Sequence, residues 1–450
     1  MSMLPRLRQD LRGRLLSSIT SSTSRLTTTA PLSRFATLHA PPVLINSHVA
    51  PQHLQLRLVP PIAYKPQRCY QSTTAESSEQ TLSGLWKPTH LQKLFYGSGS
   101  VSNLVASLKS ESSRALILTG NSLATKTPLI KQVEELLGSR HAATFSKIGQ
   151  HAPVKDIDAA LEVVLKDDKI DTIISIGGGS PIDAAKAISF RLHEKRGLFL
   201  HHVTIPTTLS AGECTFIAGY TGEDGVKTSV VHPELAPSVI IYDSQFALHT
   251  PEWLFMSTGL RSLDHAVELQ YYPTATEMPC RQMALYAAGE LFKYLPKYKE
   301  NPRDEEAITK LLLAAFASLG FIGLNVRGGL GLSHTLGYAL GSPYQIPHGI
   351  TSCMTLGHVV KLKAETSKEN AAQIARLAPF IGLTNSGNKT ADATAVGDAI
   401  LKLVRDLGLF TTLTEKGVGK DKVQTIVRMA TGQESGPQYE KVKALVEGLY

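Results

Sequence analysis

The 450-residue chain has no apolar run approaching the roughly 18 residues that a membrane span requires. Its longest, LLLAAFASLGFIGL (Leu311–Leu324), reads as a buried helix, so no membrane is expected as a partner. Cysteine is scarce. Cys69, Cys214, Cys280 and Cys353 show no CxxC spacing, which argues against a disulfide framework and for a reducing compartment. Acidic residues are almost missing from the first 70 positions, where Asp10 stands against nine basic side chains. The formal charge of +8 therefore belongs to this leader. Basic and acidic residues balance in the remainder, so no nucleic-acid partner is implied. The chain also lacks both GxGxxG and a GK[ST] phosphate loop, so neither a typical Rossmann fingerprint nor a Walker site is present.

The leader itself has a recognisable makeup. MSMLPRLRQDLRGRLLSSIT can form a basic amphipathic helix with Leu4, Leu7, Leu11, Leu15 and Leu16 toward one side. Residues 1–70 are Arg-rich and Ser/Thr-rich, as in a mitochondrial transit peptide, with RCYQS (Arg68–Ser72) offering a processing site after Cys69 or Tyr70. A mitochondrial matrix location is the expectation.

Residues 80–245 alternate β-rich runs with helical stretches. ALILTG (Ala115–Gly120), ATFSKI (Ala143–Ile148), DTIISIGGGS (Asp171–Ser180), HHVTIPTT and SVIIYD (Ser238–Asp243) read as strands, with helices through Leu137 and across DIDAALEVVLK. That alternation predicts a doubly wound parallel sheet, with ligands at the carboxyl ends of its strands. Residues 246–450 keep helical spacing and nearly lose β-branched runs, which predicts an all-α domain and a reaction cleft between the two parts.

GGGSPIDAAKAI directly follows the strand DTIISI. Gly177, Gly178 and Gly179 remove Cβ atoms where backbone must approach a ligand. Ser180 is expected as the N-cap, Pro181 at the first helical position and Asp183 at the third. Such a helix start binds a pyrophosphate.

Four segments then occur in one order: GGGSPIDAAK, IPTT (Ile205–Thr208), GLRSLDHAVE (Gly259–Glu268) and HTLGYALGSPYQIPHG (His334–Gly349). In this the chain resembles the iron-containing (group III) alcohol dehydrogenases, over roughly residues 90–445. The segment from IPTTLSAGECT to SVIIYD looks closest to the maleylacetate reductase branch. The resemblance implies a dinucleotide-binding α/β domain followed by a helical metal-binding domain, an architecture shared with dehydroquinate synthases. It implies NAD or NADP as coenzyme, with Gly177–Ser180 on the pyrophosphate and Thr207 and Thr208 along the cofactor. Lys227 would reach its ribose or phosphate. In NAD-selective members an acid closes the first strand. Here Gly120 and Asn121 stand there with Lys126 close by, so NADP(H) is expected to be accepted.

The family's metal ligands are an Asp and a His four residues apart on one helix, then two His fourteen residues apart. His265, His334 and His348 match, which would hold Fe²⁺ or Zn²⁺. The Asp position holds Arg261. A guanidinium about 6 Å from a dication costs on the order of 5 kcal/mol at an effective dielectric near 20. Asp264 is expected to point about 100° away from His265 around the helix. Without a metal, Arg261 and a protonated histidine would stabilise the alkoxide. Tyr338 stands where many members have a relay histidine and would donate a proton, favouring reduction.

These residues define three readings. The first is an NAD(P)(H)-dependent oxidoreductase interconverting a small alcohol and its aldehyde or ketone. The second is a metal-free, maleylacetate-reductase-like reduction of an oxo acid. The third, from another class, is a coenzyme-binding pseudoenzyme. The partner is a small molecule in all three, and the helical domain is of a kind that often forms homodimers.

Overall fold

The structure, a computed structural model, describes residues 84–450 apart from Val226 and residues 325–327. The leader and its processing site lie outside the described residues. All the described residues belong to one compact unit, Glu79–Tyr450.

The α/β part contains β1 (Lys93–Tyr96), β2 (Arg114–Thr119), α1 (Asn121–Lys126), α2 (Leu129–Leu137), β3 (His141–Phe145), α3 (Val154–Lys166), β4 (Ile170–Gly177), α4 (Gly179–Arg196) and β5 (His201–Pro206). The hairpin β6 (Ile217–Thr221) and β7 (Lys227–Val231) and the strand β8 (Val239–Tyr242) complete it. Six strands form one sheet in the order β1-β8-β5-β4-β2-β3, and every pairing in it is parallel. β6 and β7 pair antiparallel as a separate ribbon.

The two-residue period of β2 shows why both sheet faces are covered. Leu116 and Leu118 pack with Ile157, Leu161, Ile188 and Leu192 of α3 and α4. Ala115 and Ile117 point the other way, to Leu129, Val133 and Leu137 of α2. Each fully buried Ile or Leu in these layers contributes about 1.5–3 kcal/mol. With both faces covered, the strands read as continuous apolar runs rather than as alternating ones.

The expected two-part texture is present, and several details differ. The helix expected through Leu137 is two helices broken at Pro128, whose ring supplies no N–H. The run Leu311–Leu324 is helical only to Leu319, where Gly320 caps the helix. β1 and the ribbon were not anticipated, being short and only partly buried.

The helical part comprises α5 (Ser244–Ala247), α6 (Glu252–Glu268), α7 (Gln282–Glu300), α8 (Glu305–Leu319), α9 (Leu332–Tyr344), α10 (His348–Thr366), α11 (Lys368–Ala375), α12 (Lys389–Asp406), α13 (Val423–Thr431) and α14 (Pro437–Glu447). No helix among the described residues is long and apolar enough to cross a membrane. α6 is central: every residue from Phe255 to Glu268 is buried. Four of those are Arg261, Asp264, His265 and Glu268. Polar groups at such depth require partners, and the partners define the site.

Candidate active site

The glycine loop lies at the carboxyl end of β4. Gly177 has φ +136°, and a Cβ there would meet Pro181 Cγ at 3.2 Å and Leu123 Cδ1 at 3.3 Å. A Cβ on Gly178 would lie 3.2 Å from Thr208 Oγ1. The loop is therefore closed to larger residues on both sides, and Thr208 forms its wall. Thr207 N–H donates to the Gly177 carbonyl at 2.9 Å. The helix begins two residues earlier than expected. Gly178 is the N-cap, with no side-chain cap. The Ser180 hydroxyl instead accepts the His151 backbone N–H at 3.0 Å, a long-range partner that local capping rules do not see. The first N–H groups of α4 thus face the loop without side-chain competition.

Asp183, further along α4, is half-buried, and desolvation of its carboxyl pushes its pKa up against the pull of Lys186 and Lys227. At the end of β2, Gly120 is the N-cap of α1 and Asn121 is exposed. No carboxylate occupies either position.

The second half of the site is assembled from α6, α9 and α10. Asp264 Oδ2 accepts hydrogen bonds from Ser333 Oγ at 2.9 Å and Ser352 Oγ at 2.7 Å, and pairs with Arg261 Nη1 at 3.5 Å. Arg261 also donates to Ser352 Oγ at 3.3 Å. Glu268 Oε2 takes the His334 Nδ1 hydrogen bond at 2.7 Å, while Glu268 Oε1 takes the Ser333 N–H at 2.8 Å. Asp264 Oδ1 lies 3.3 Å from the same His334 nitrogen.

His334 therefore faces two carboxylates. Burial and Arg261 oppose its charge, but Asp264 and Glu268 outweigh both, and its pKa is raised. Burial also works against the Asp264 charge, yet His334, Arg261 and Ser352 hold its carboxyl below the usual range. His265, with its ring centroid 4.8 Å from that of His334, is driven well down by burial, then by His334 and Arg261. The neutral form of His265 is thus favoured beside a His334 whose charged form is favoured. The His334 Nε2 is buried and has no hydrogen-bond partner among the described residues.

Two elements of the α/β part reach this cluster. Lys227, at the start of β7, places Nζ 3.0 Å from His348 Nε2. Burial, then Lys227 and Arg261, keep His348 neutral, so the lysine is the donor in that bond. His151 packs edge-on against His348, with centroids 4.9 Å apart. Its backbone is left-handed at φ 62°, and that of Ala152 at φ 48°. Such non-glycine conformations cost about 1–3 kcal/mol each and persist where the surroundings enforce them. Here Ser180 fixes the His151 N–H, and Thr221 donates to its carbonyl at 3.2 Å. Tyr338 lies at the mouth, 39% exposed, with Lys227 Nζ 5.3 Å and Arg261 Cζ 5.9 Å from its ring centroid.

Both parts of the chain match known proteins. Residues 92–244 match the family described as iron-containing alcohol dehydrogenase, and residues 255–447 match its C-terminal part. The chain belongs to the iron-containing alcohol dehydrogenase family. Within it, the chain is 29% identical to the maleylacetate reductase of Sphingobium indicum over 341 residues, covering 75% of this chain and 88% of that one. It is 28% identical to the NAD-dependent methanol dehydrogenase of Bacillus methanolicus, covering 74% and 90%. The crystal structure of maleylacetate reductase from Agrobacterium tumefaciens superposes with a TM-score of 0.69 at 25% identity, covering 82% of this chain and 98% of that one.

For an iron-containing alcohol dehydrogenase the metal site is unusual. The potential ligand atoms that converge within 4.8 Å belong to Asp264, Glu268 and His334. Of the expected trio of His265, His334 and His348, only His334 is among them. His348 Nε2 is engaged by the Lys227 ammonium, while its Nδ1 is buried without a hydrogen-bond partner among the described residues. Ser333, Ser352, Arg261 and an internal imidazole–carboxylate bond engage Asp264 Oδ2, Glu268 and His334 Nδ1, while Asp264 Oδ1 and His334 Nε2 are buried without a hydrogen-bond partner among the described residues. A dication there would displace the proton on His334 Nδ1 and face Arg261, whose Nη1 is 3.5 Å from Asp264. Two cations border the histidines, so these residues do not fit a divalent ion.

The placement of Asp264 is a correction. It was expected to point away, but Arg261 and Asp264 are three residues apart and share a helix face, and burial forces them together. Lys227, expected to reach the ribose or phosphate of the coenzyme, also touches His348. Glu268 pairs with His334. His151 had no signal in its sequence neighbourhood.

Proposed function

We propose that this family member is a nicotinamide-coenzyme-dependent oxidoreductase working mainly as a carbonyl reductase, taking NADPH as well as NADH. The observation that carries this reading is His151. Its backbone holds the hydroxyl of the phosphate-loop Ser180 and its ring touches His348, so the coenzyme loop and the imidazole cluster are one residue apart.

The residues present suit the coenzyme: a glycine cradle that any Cβ would fill, ahead of uncapped helix N–H groups. Bound there, a reduced nicotinamide supplies the hydride for the carbonyl carbon. Arg261 and the charged His334 stabilise the negative charge that develops on the carbonyl oxygen. His334 Nε2 has no hydrogen-bond partner among the described residues, so its N–H is available to give a proton to that oxygen. Lys227, joined to neutral His348, and the Tyr338 hydroxyl are further donors at the mouth.

A second reading narrows the substrate. Arg261 and Lys227 both lie against the exposed Tyr338 ring, leaving two cations at the entrance. That arrangement favours an oxo acid, whose carboxylate an arginine can grip bidentately. The similarity to maleylacetate reductases supports the same reading. The test is coenzyme oxidation over a panel of short aldehydes, ketones and oxo acids, with and without EDTA. Turnover of oxo acids that survives the chelator supports the proposal. Coenzyme binding without turnover on any carbonyl makes the chain a pseudoenzyme instead.

A further inference from the structure

A second cleft, of about 250 Å³, lies at the opposite end of the sheet from the glycine loop. His201 opens β5 and Ser238 directly precedes β8, and both line it. In a parallel sheet the coenzyme belongs at the carboxyl ends of the strands, so a cleft at their amino ends is separate from the site described above.

Its polar lining leaves cations over. His90 and Lys109 line the cleft and have no hydrogen bond or ion pair among the described residues. His201 donates its Nε2–H to the Ser107 carbonyl at 2.9 Å, which anchors the segment that carries Lys109. Burial, and after it the charges of Lys109 and His90, hold the His201 pKa down against the pull of Ser107 and Asp171. The acid of the lining, Glu234, is exposed. Ser238 is 7% exposed, and its hydroxyl has no partner among the described residues, although hydroxyls at such depth ordinarily have one. A metal ion does not suit the place. Among the described residues, the His, Cys, Asp and Glu groups that converge closely enough to hold one are Asp264, Glu268 and His334, in the other site. The Lys109 ammonium would also repel a cation.

The remaining wall is aromatic. Phe199 lines the cleft, with the His193 ring stacked on it at 4.1 Å and the His232 ring at 4.7 Å between centroids. Those two imidazoles are 5.8 Å apart, too close for rings on opposite faces of the phenyl. Both therefore cover one side of Phe199, which leaves its other face to the cleft and holds that face in one orientation. The volume lies below the roughly 300 Å³ at which sites for drug-sized ligands begin, which excludes a dinucleotide.

We propose that this cleft is a second ligand site, for a small planar carboxylate whose ring lies on Phe199 and whose oxygens meet Lys109, His90 and Ser238. Aromatic stacking and charge-assisted hydrogen bonds then act on the two ends of one small molecule. The proposal stands apart from the coenzyme reading and survives its failure.

The test is calorimetric titration of the full chain with benzoate, for the unaltered protein, Lys109→Gln and Phe199→Leu. The expected result is a saturable site that Lys109→Gln weakens about tenfold and Phe199→Leu about three- to tenfold. The dissociation constants of NADH and NADPH are expected to stay unchanged in both variants. Lys109 is exposed, so its replacement leaves the fold alone. Photolabelling with 4-azidobenzoate is expected to mark peptides that contain residues 199–201 or 234–238. Benzoate that binds Lys109→Gln as tightly as the unaltered protein is seated elsewhere and overturns the proposal. So does the absence of saturable binding, or inorganic phosphate that binds as tightly as benzoate. Should Phe199→Leu not fold, cyclohexanecarboxylate reads the ring contact in the unaltered protein. It is expected to bind severalfold more weakly than benzoate, and equal affinity contradicts the stacking.

Discussion

Replacing Arg261 by aspartate tests the electrostatics of the site from both directions. In the native chain the guanidinium neutralises Asp264 and hydrogen-bonds Ser352. Arg261→Asp removes that charge and adds a carboxylate beside Asp264 and Glu268. Breaking a buried pair costs about 3–5 kcal/mol. For a domain of this size that lowers the melting temperature by on the order of 10 °C. A divalent ion reverses the deficit. It no longer meets a repulsion on the order of 5 kcal/mol, which corresponds to roughly three to four decades in affinity. It also gains an anionic ligand one turn before His265. At a hundredfold excess over its dissociation constant the ion restores about 2.7 kcal/mol. The assay is thermal melting of both proteins with and without Zn²⁺ or Fe²⁺, paired with metal analysis after desalting. The variant is expected to melt lower, to recover with metal and to retain it, while the unaltered chain ignores it. A variant that retains no more metal than the unaltered chain refutes the reasoning.

Asp264→Asn removes one of the two carboxylates that keep His334 charged. The raised pKa means the charged form is present below the ordinary value of 6.5 and is lost as pH rises through the folded value. The variant loses it at lower pH, so its alkaline limb for carbonyl reduction moves to lower pH. An unmoved pH–rate profile contradicts the assignment. Gly120→Asp places a carboxylate at the end of β2. It is expected to weaken NADPH by about 10- to 100-fold while NADH changes little, through a repulsion of about 1–3 kcal/mol with the 2′-phosphate. Equal effects on the two coenzymes would refute the placement. Residues 1–70 fused to a fluorescent protein are expected to direct it to mitochondria, and replacing Arg6, Arg8, Arg12 and Arg14 by glutamine to abolish import. Diffuse fluorescence from the unaltered fusion removes that expectation.

Much of this architecture was legible because local pattern and final environment agree. The inner strands β2, β4, β5 and β8 are buried on both faces and so appear as apolar runs. The glycines follow β4 because its end must pass close to Thr208 and Pro181. α6 was recognisable, and so was the displacement of its aspartate by Arg261. Other features depend on contacts between distant segments. Ser180 looks like a cap, but its hydroxyl is taken by the backbone of His151, 29 residues earlier. Lys227 follows a turn that reads as polar surface, and only the ribbon pairing of β6 with β7 carries it to His348, 121 residues later. Asp264 was judged by its angle to His265 when its angle to Arg261 decides its role. The match of three histidines to a motif identified the pocket. It did not identify the cations that border it, because those come from other elements or from the position the motif itself had lost.

The central claim is hydride transfer to a carbonyl at a site completed by Arg261 and His334 without a metal. Its most direct measurement is label transfer from NADPH deuterated at C4 of the nicotinamide, using chelator-treated protein and the carbonyl panel, followed by mass spectrometry of the alcohol. The account predicts one deuterium on the carbinol carbon, in a yield that EDTA does not lower. Product formed only after Fe²⁺ or Zn²⁺ is returned, or coenzyme consumed with no deuterium in any alcohol, contradicts it.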